Sequence, residues 1–286
     1  MIWDETHRKD IKKEQHIMED KMLHKILNDA IAMAQKVGEI QMDSFRSPKL
    51  MMDTKTSQYD VVTEVDKACE GFLVKEISRK YPEHTIIGEE TGKHIHEGAE
   101  WEWVVDPLDG TNSYSQGLPI FCVSIGVRYK GDPVVGVVYA PYLDELYTAV
   151  KGEGAQMQQG LCLGELLPGD KLRVSQKTDL GECVVASGFP YDKATNPVNN
   201  IDNSAKVLPL VRGFRRMGSC AYDMCCVAMG TIDVYWELDL KEYDCCAGMV
   251  IVREAGGIIK HFRDDRNISI IAGNETLVGK IGEIVE

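Results

Sequence analysis

Trp101-Glu-Trp-Val-Val-Asp106-Pro-Leu-Asp109-Gly-Thr-Asn112 joins an apolar run to a turn that carries two acids. Trp101–Val105 reads as a short β-strand. Asp106 and Asp109 follow it with Pro107 between them. Pro107 fixes its own φ and restricts Asp106, so the two carboxylates cannot easily relax apart. Like charges held together are unfavourable unless a cation sits between them. Hard oxygen ligands of this kind, with the free carbonyl of Leu108, suit Mg²⁺, which keeps waters that a substrate can displace. Gly110 permits close backbone approach, and the Gly110 and Thr111 amides are placed to open a helix and receive a phosphate.

The same placement of acids recurs. Asp60-Val-Val-Thr-Glu-Val-Asp66 ends at a predicted helix start, Gly88-Glu89-Glu90 follows a short apolar strand, and Asp244 opens another helix. Strand ends and helix starts are where an α/β fold gathers its ligand sites. Taken singly, an Asp-Gly pair is usually a turn and an Asp before a helix usually an N-cap. Four such positions in one chain, one of them Asp-Pro-Leu-Asp-Gly-Thr, outweigh that reading.

Around these acids the pattern is mixed. A helix is expected from Lys12 to Phe45, with Leu23, Leu27, Ala30, Ala34 and Val37 on one face and a polar extension over residues 1–22. A second is expected over Asp66–Lys80, burying Cys69, Phe72, Leu73 and Ile77, with Pro82 just past its end. Thr85–Ile87, Phe121–Tyr129, Pro133–Tyr139 and Glu145–Val150 read as strands, the middle two joined by a turn at Lys130-Gly131-Asp132. Beyond a soft boundary near residues 152–170, strands at Cys183–Ala186, Gly213–Arg216, Ile232–Trp236 and Ser269–Ala272 alternate with helices at Val198–Leu210, Ala221–Met229, Asp244–Ala255 and Glu275–Ile284. That alternation predicts a layered α/β arrangement.

Composition bounds the function. With 45 acids against 32 bases in 286 residues, the formal charge is −13, which repels nucleic acid and anionic lipid at long range. No stretch approaches a membrane span and the charged N-terminus lacks a signal-peptide h-region. The nine cysteines match no zinc or CxxC spacing, and most sit in apolar runs, as buried thiols of a cytoplasmic protein would. His94-Ile-His96 and Gly152-Glu-Gly154 are better read as a solvated loop and a turn than as a metal half-site and a phosphate loop.

Asp106-Pro-Leu-Asp-Gly-Thr-Asn and Glu237-Leu-Asp-Leu-Lys-Glu-Tyr-Asp244-Cys-Cys-Ala-Gly, with Asp60–Asp66, Gly88-Glu89-Glu90 and Arg216-Met-Gly-Ser219 in order between and around them, resemble the inositol monophosphatase family of Mg²⁺-dependent, lithium-sensitive phosphatases. The resemblance spans about residues 23–286 and implies an αβαβα sandwich assembled as a homodimer. It implies that Glu89, Asp106 and the Leu108 carbonyl hold one Mg²⁺, that Asp106, Asp109 and Asp244 hold a second, and that Asp66 with Glu89 borders a third. Thr111, near Asp66, would orient the attacking water that Glu89 deprotonates, and Lys55 belongs to a loop over the site. Asp109, Gly110, Thr111, Gly218, Ser219, Cys220, Glu237 and Asp244 are the implied substrate contacts. Tyr243 stands where the family usually has Trp, and Cys220 where it usually has Ala, which bears on substrate and not on the metal acids.

Three functions are compatible with these residues. One is hydrolysis of inositol monophosphate. Another is the same chemistry on fructose 1,6-bisphosphate, a 3′-phosphoadenosine nucleotide or NADP. The third is a catalytically silent relative with a binding or regulatory role.

Overall fold

Apolar spacing in the first helix sets the first layer. α1 (Ile2–Ser44) buries Ile26, Ala30, Met33, Ala34, Val37 and Gln41, positions three and four apart on one face. The computed structural model describes residues 2–55, 59–160 and 169–285, with side chains from Asp20 onward. The helix starts ten residues before Lys12, because Lys, Glu and Gln favour helix without supplying the apolar period that marks one. Leu23 and Leu27 lie half-buried at the edge of the stripe and not in it.

A ribbon of β1 (Met52–Thr54) and β2 (Val61–Thr63) leads into α2 (Glu64–Lys80). Thr63 is the N-cap: its hydroxyl accepts from the Asp66 amide while Asp66 accepts from the Thr63 amide. Asp66 is therefore the third residue of this helix and not its first, as a capping box requires. Cys69, Leu73 and Ile77 are buried as expected, and Phe72 is half-buried.

Eight strands form the first sheet: β3 (Thr85–Gly88), β4 (Lys93–His94), β5 (Trp101–Asp109), β6 (Cys122–Tyr129), β7 (Asp132–Ala140), β8 (Glu145–Val150), β9 (Gly154–Gln158) and β10 (Asp170–Lys171). Their order is β10-β9-β8-β7-β6-β5-β3-β4, antiparallel except for the β3–β5 pair. Short α3 (Thr111–Ser115) follows β5 directly. β5 runs four residues beyond Val105, through both acids. Strands β9 and β10 flank residues 161–168, so the soft boundary at 152–170 falls partly outside the described residues.

The second sheet has β11 (Val184–Ser187), β12 (Gly213–Arg215), β13 (Val234–Leu240), β14 (Ile258–His261) and β15 (Ile268–Gly273), ordered β12-β11-β13-β15-β14. Helices α4 (Ile201–Val207), α5 (Cys220–Met229), α6 (Glu242–Glu254) and α7 (Glu275–Val285) complete the chain. The expected helix over Val198–Leu210 is only α4 plus a 3₁₀ turn at Leu208–Leu210, since Pro209 cannot continue the α-helical bonding. Gly256, at φ 81°, follows the end of α6, and Ile258–His261 beyond it is an edge strand.

Among the described residues four apolar clusters lie between five layers, the smallest being Ile87, Val104 and Cys246 between the first sheet and α6. Ile26, Leu73 and Trp103 belong to the one between α1, α2 and the first sheet. Met224, Val250 and Ile270 belong to the one around α5 and α6, between the sheets. Val207, Leu277 and Ile281 belong to the one under α4 and α7. The architecture is the αβαβα sandwich.

Candidate active site

The two acids of the opening stretch face one way because β5 is irregular. Asp106 pairs with Ser124 and Asp109 with Cys122, so β5 spends three steps where β6 spends two. In a regular strand, residues three apart point to opposite faces. The extra residue restores the phase and turns both carboxylates to the same side. Pro107 has no amide to give the ladder, and its carbonyl accepts from the buried Gln41 side chain of α1 at 2.8 Å. The Leu108 amide turns back to Asp106 Oδ1 at 3.0 Å. Gly110 then takes φ 96°, a left-handed conformation that other residues adopt with strain, and α3 begins.

Glu89 and Asp244 arrive from other elements, and Asp109, on β5 with Asp106, is anchored by one. Asp109 Oδ2 accepts from the Ser219 hydroxyl and the Ala221 amide, both at 2.7 Å, which ties it to the start of α5. Glu89 follows β3 and is held by Lys55, whose Nζ lies 2.7 Å from Glu89 Oε1 and also contacts Glu90. Asp244 sits in the first turn of α6, accepting from the Lys241 amide at 2.6 Å. β13 carries the same kind of irregularity between Glu237 and Leu240, with Asp239 at φ 69° held by Arg266 and Asn267.

These groups line one cavity of about 740 Å³. Lys55, Glu89, Asp106, Leu108, Asp109 and Gly110 are on its wall. So are Thr111, Gly218, Ser219, Cys220, Glu237 and Asp244. Asp66 is not. It lies buried behind Thr111, with Oδ1 2.8 Å from the Thr111 hydroxyl and Oδ2 taken by the Thr63 amide and hydroxyl. The Thr111 hydroxyl is also 2.9 Å from the Leu108 carbonyl.

Burial decides the electrostatics. It pushes Glu89 up to about 7 against the pull of Lys55, and Asp109 up to about 6 against the hydrogen bonds of Ser219 and the α5 amides. Asp106 is pushed well above the carboxylate range by burial and then by Glu89, Asp109 and Asp244. Asp244 is raised well above it by burial, against the Lys241 amide. Among the described residues no three His, Cys, Asp or Glu side chains already stand grouped at metal-holding spacing. What the structure offers is a set of hard oxygen donors on one wall, each raised by burial and all but Glu89 and Asp109 far above the usual range. A divalent cation relieves that cost, and carboxylate and carbonyl oxygens fit Mg²⁺.

Residues 22–286 match the model of the inositol monophosphatase family. The chain belongs to that family. It is 38% identical over 260 residues to Nus factor SuhB of Escherichia coli strain K12, covering 90% of this chain and 94% of that protein. Its structure is similar to the extragenic suppressor protein SuhB of Bartonella henselae, with a TM-score of 0.80, 32% identity, and 91% and 98% of the two chains covered. It is also similar to the inositol monophosphatase of Anabaena (Nostoc) sp. PCC 7120, with a TM-score of 0.78, 32% identity, and 92% and 96% covered. Family membership makes the chemistry that of a phosphatase, in a family that generally uses Mg²⁺. Among the described residues no helix is long and apolar enough to cross a membrane.

Other site residues carry signals that the sequence reading passed over. Glu70, fully buried on α2, accepts from the Glu90 and Thr91 amides at 2.8 and 2.6 Å and from the Thr91 hydroxyl at 2.6 Å, so it shapes the turn that presents Glu89. A Cβ at Gly88 would lie 2.5 Å from Glu70 Oε1. The available signal was spacing: Glu70 is one turn after Asp66 on the same helical face. Gln41 had none, being a polar residue on an otherwise apolar stripe. His94 and His96 are exposed, and Gly152 and Gly154 form a turn whose amides donate to Glu254. The eight cysteines among the described residues are all buried and unpaired.

Proposed function

We propose that the chain is a Mg²⁺-dependent phosphomonoesterase that hydrolyses an inositol monophosphate to inositol and phosphate. The observation that carries this reading is the delivery of Glu89 after β3, Asp106 and Asp109 on β5, and Asp244 on α6 to one wall beside Thr111. Glu89, Asp106, the Leu108 carbonyl, Asp109 and Asp244 would hold two ions. Bound there, Mg²⁺ neutralises phosphoryl charge and acidifies water. Glu89 removes the proton of the attacking water, and the Thr111 hydroxyl, oriented by Asp66, accepts its other hydrogen bond. Asp66 has both oxygens engaged by hydroxyls and acts through Thr111 rather than as a border to a third ion. The Gly110 and Thr111 amides receive phosphoryl oxygens, while Ser219, Cys220, Gly218 and Glu237 line the part of the cavity assigned to the sugar-like ring.

Buried, unpaired thiols support a cytoplasmic setting. Ile201, Leu208 and Leu210, 50, 57 and 47% exposed, supply apolar surface of the kind a homodimer covers.

The test is Glu89→Gln at saturating Mg²⁺. The expected loss in kcat is about 10²–10⁴-fold on every phosphomonoester that the wild type cleaves. Near-normal turnover would remove Glu89 as the base. A second reading rests on the relatives named Nus factor: a binding or regulatory role, independent of catalysis. It gains if wild-type protein releases no phosphate from inositol, fructose, nucleotide or NADP phosphates in Mg²⁺.

A further inference from the structure

α5 reads Cys-Ala-Tyr-Asp-Met-Cys-Cys-Val-Ala-Met, and Asp223 is its one charged side chain. Asp223 is 2% exposed, yet it reaches the wall of the cavity. Its Oδ1 is buried and has no hydrogen-bond partner among the described residues. Buried carboxyl oxygens in folded proteins are bonded in the large majority of cases, and an unpaired one is destabilising. A carboxyl of this kind, on the wall of a ligand cavity, calls for a partner that arrives with the ligand.

The neighbours select the kind of partner. Glu237 of β13 lines the same cavity, with Oε2 engaged by the Tyr235 hydroxyl. Arg216 also lines it, and both Glu237 and Arg216 act electrostatically on Asp223. An ammonium group would meet the guanidinium, and an anion would meet the carboxyls. An apolar group would leave Oδ1 unpaired. A hydroxyl both donates and accepts, so it satisfies carboxyl and guanidinium together.

We propose that Asp223 is a specificity-determining residue that, beside Glu237, receives a hydroxyl of a polyhydroxylated phosphate monoester. This rests on the phosphomonoesterase reading above and adds a second carboxyl to the substrate contacts. Substrates with vicinal hydroxyls gain a bond that a phosphate ester of a plain alcohol or phenol cannot make. Sites built to bond a substrate hydroxyl reject the analogue that lacks it.

The experiment compares wild type, Asp223→Asn and Asp223→Leu on inositol 1-phosphate and phenyl phosphate in saturating Mg²⁺. In both variants the ratio of kcat/KM for the inositol ester to that for phenyl phosphate is expected to fall about tenfold or more, carried by KM for the inositol ester. The thermal midpoint of Asp223→Leu is expected to equal or exceed that of the wild type, because the substitution removes an unpaired acceptor from an apolar helix. An unchanged ratio overturns the proposal, as does a lowered midpoint with both substrates affected alike. If wild-type protein cleaves phenyl phosphate while the ratio is unmoved in the variants, only this inference fails. If it cleaves neither ester, the phosphomonoesterase reading fails and takes this inference with it.

Discussion

Asp106, Asp109, Asp244 and Glu89 hold their protons more tightly than free carboxyls because burial penalises the charged form. The sign of the pH effect follows. A group whose folded pKa lies above its unfolded value lends stability at low pH and loses it as pH rises through the folded value. Metal-free protein should therefore lose stability as pH rises from the ordinary values of 3.8 and 4.5 to about 6 and 7, to which Asp109 and Glu89 are pushed. Mg²⁺ must displace those protons, so its affinity should weaken as pH falls below that range, by about tenfold per pH unit for each proton displaced. Titration calorimetry at pH 6 in two buffers of different ionisation heat measures the protons released. Release of none would end this account of the acids.

At the scale of elements, the site is made by junctions. The β5 irregularity aims two acids, the α2 capping box seats Asp66 behind Thr111, the first turn of α5 donates to Asp109, and the first turn of α6 carries Asp244. Glu70 joins α2 to the turn after β3. Glu70→Ala strips the acceptor from two amides and a hydroxyl, and should destabilise the fold by about 3 kcal/mol. Because that turn presents Glu89, the Mg²⁺ concentration for half-maximal phosphate release should also rise, about tenfold, with Glu70→Gln in between. A drop in melting temperature with an unaltered Mg²⁺ requirement would make Glu70 a structural residue only. The acids themselves were legible in the sequence, because turns and caps mark element ends. The irregularity in β5 was not: Pro107 signalled a restriction, but the phase shift depends on how β6 pairs, and pairing is non-local.

For the whole molecule, the two sheets share one interior. The cluster around α5 and α6 draws Val138 and Tyr147 from the first sheet and Tyr235 and Ile270 from the second. A composition change near residues 152–170 suggests a boundary; one apolar cluster lies wholly before it and another wholly after, but the cluster around α5 and α6 joins residues from both sides. Calorimetry should show a single unfolding transition, moved upward by Mg²⁺ at a hundred times its Kd by about 2.7 kcal/mol in stability. Two resolved transitions would mean that the halves unfold independently.

The sequence by itself determined the layered α/β class, the family and the identity of the acids that line the cavity, because local signals encode them: apolar period, turn chemistry and short acidic motifs at strand ends. Only the tertiary structure decided that Asp66 stands behind Thr111 instead of in the cavity, that Glu70 and Gln41 brace the acids, and that Asp223 reaches the cavity with an unpaired oxygen. Those facts depend on which buried polar group faces which neighbour across the packed layers, and residues 20 to 112 positions apart in the chain carry no mutual signal until packing brings them together.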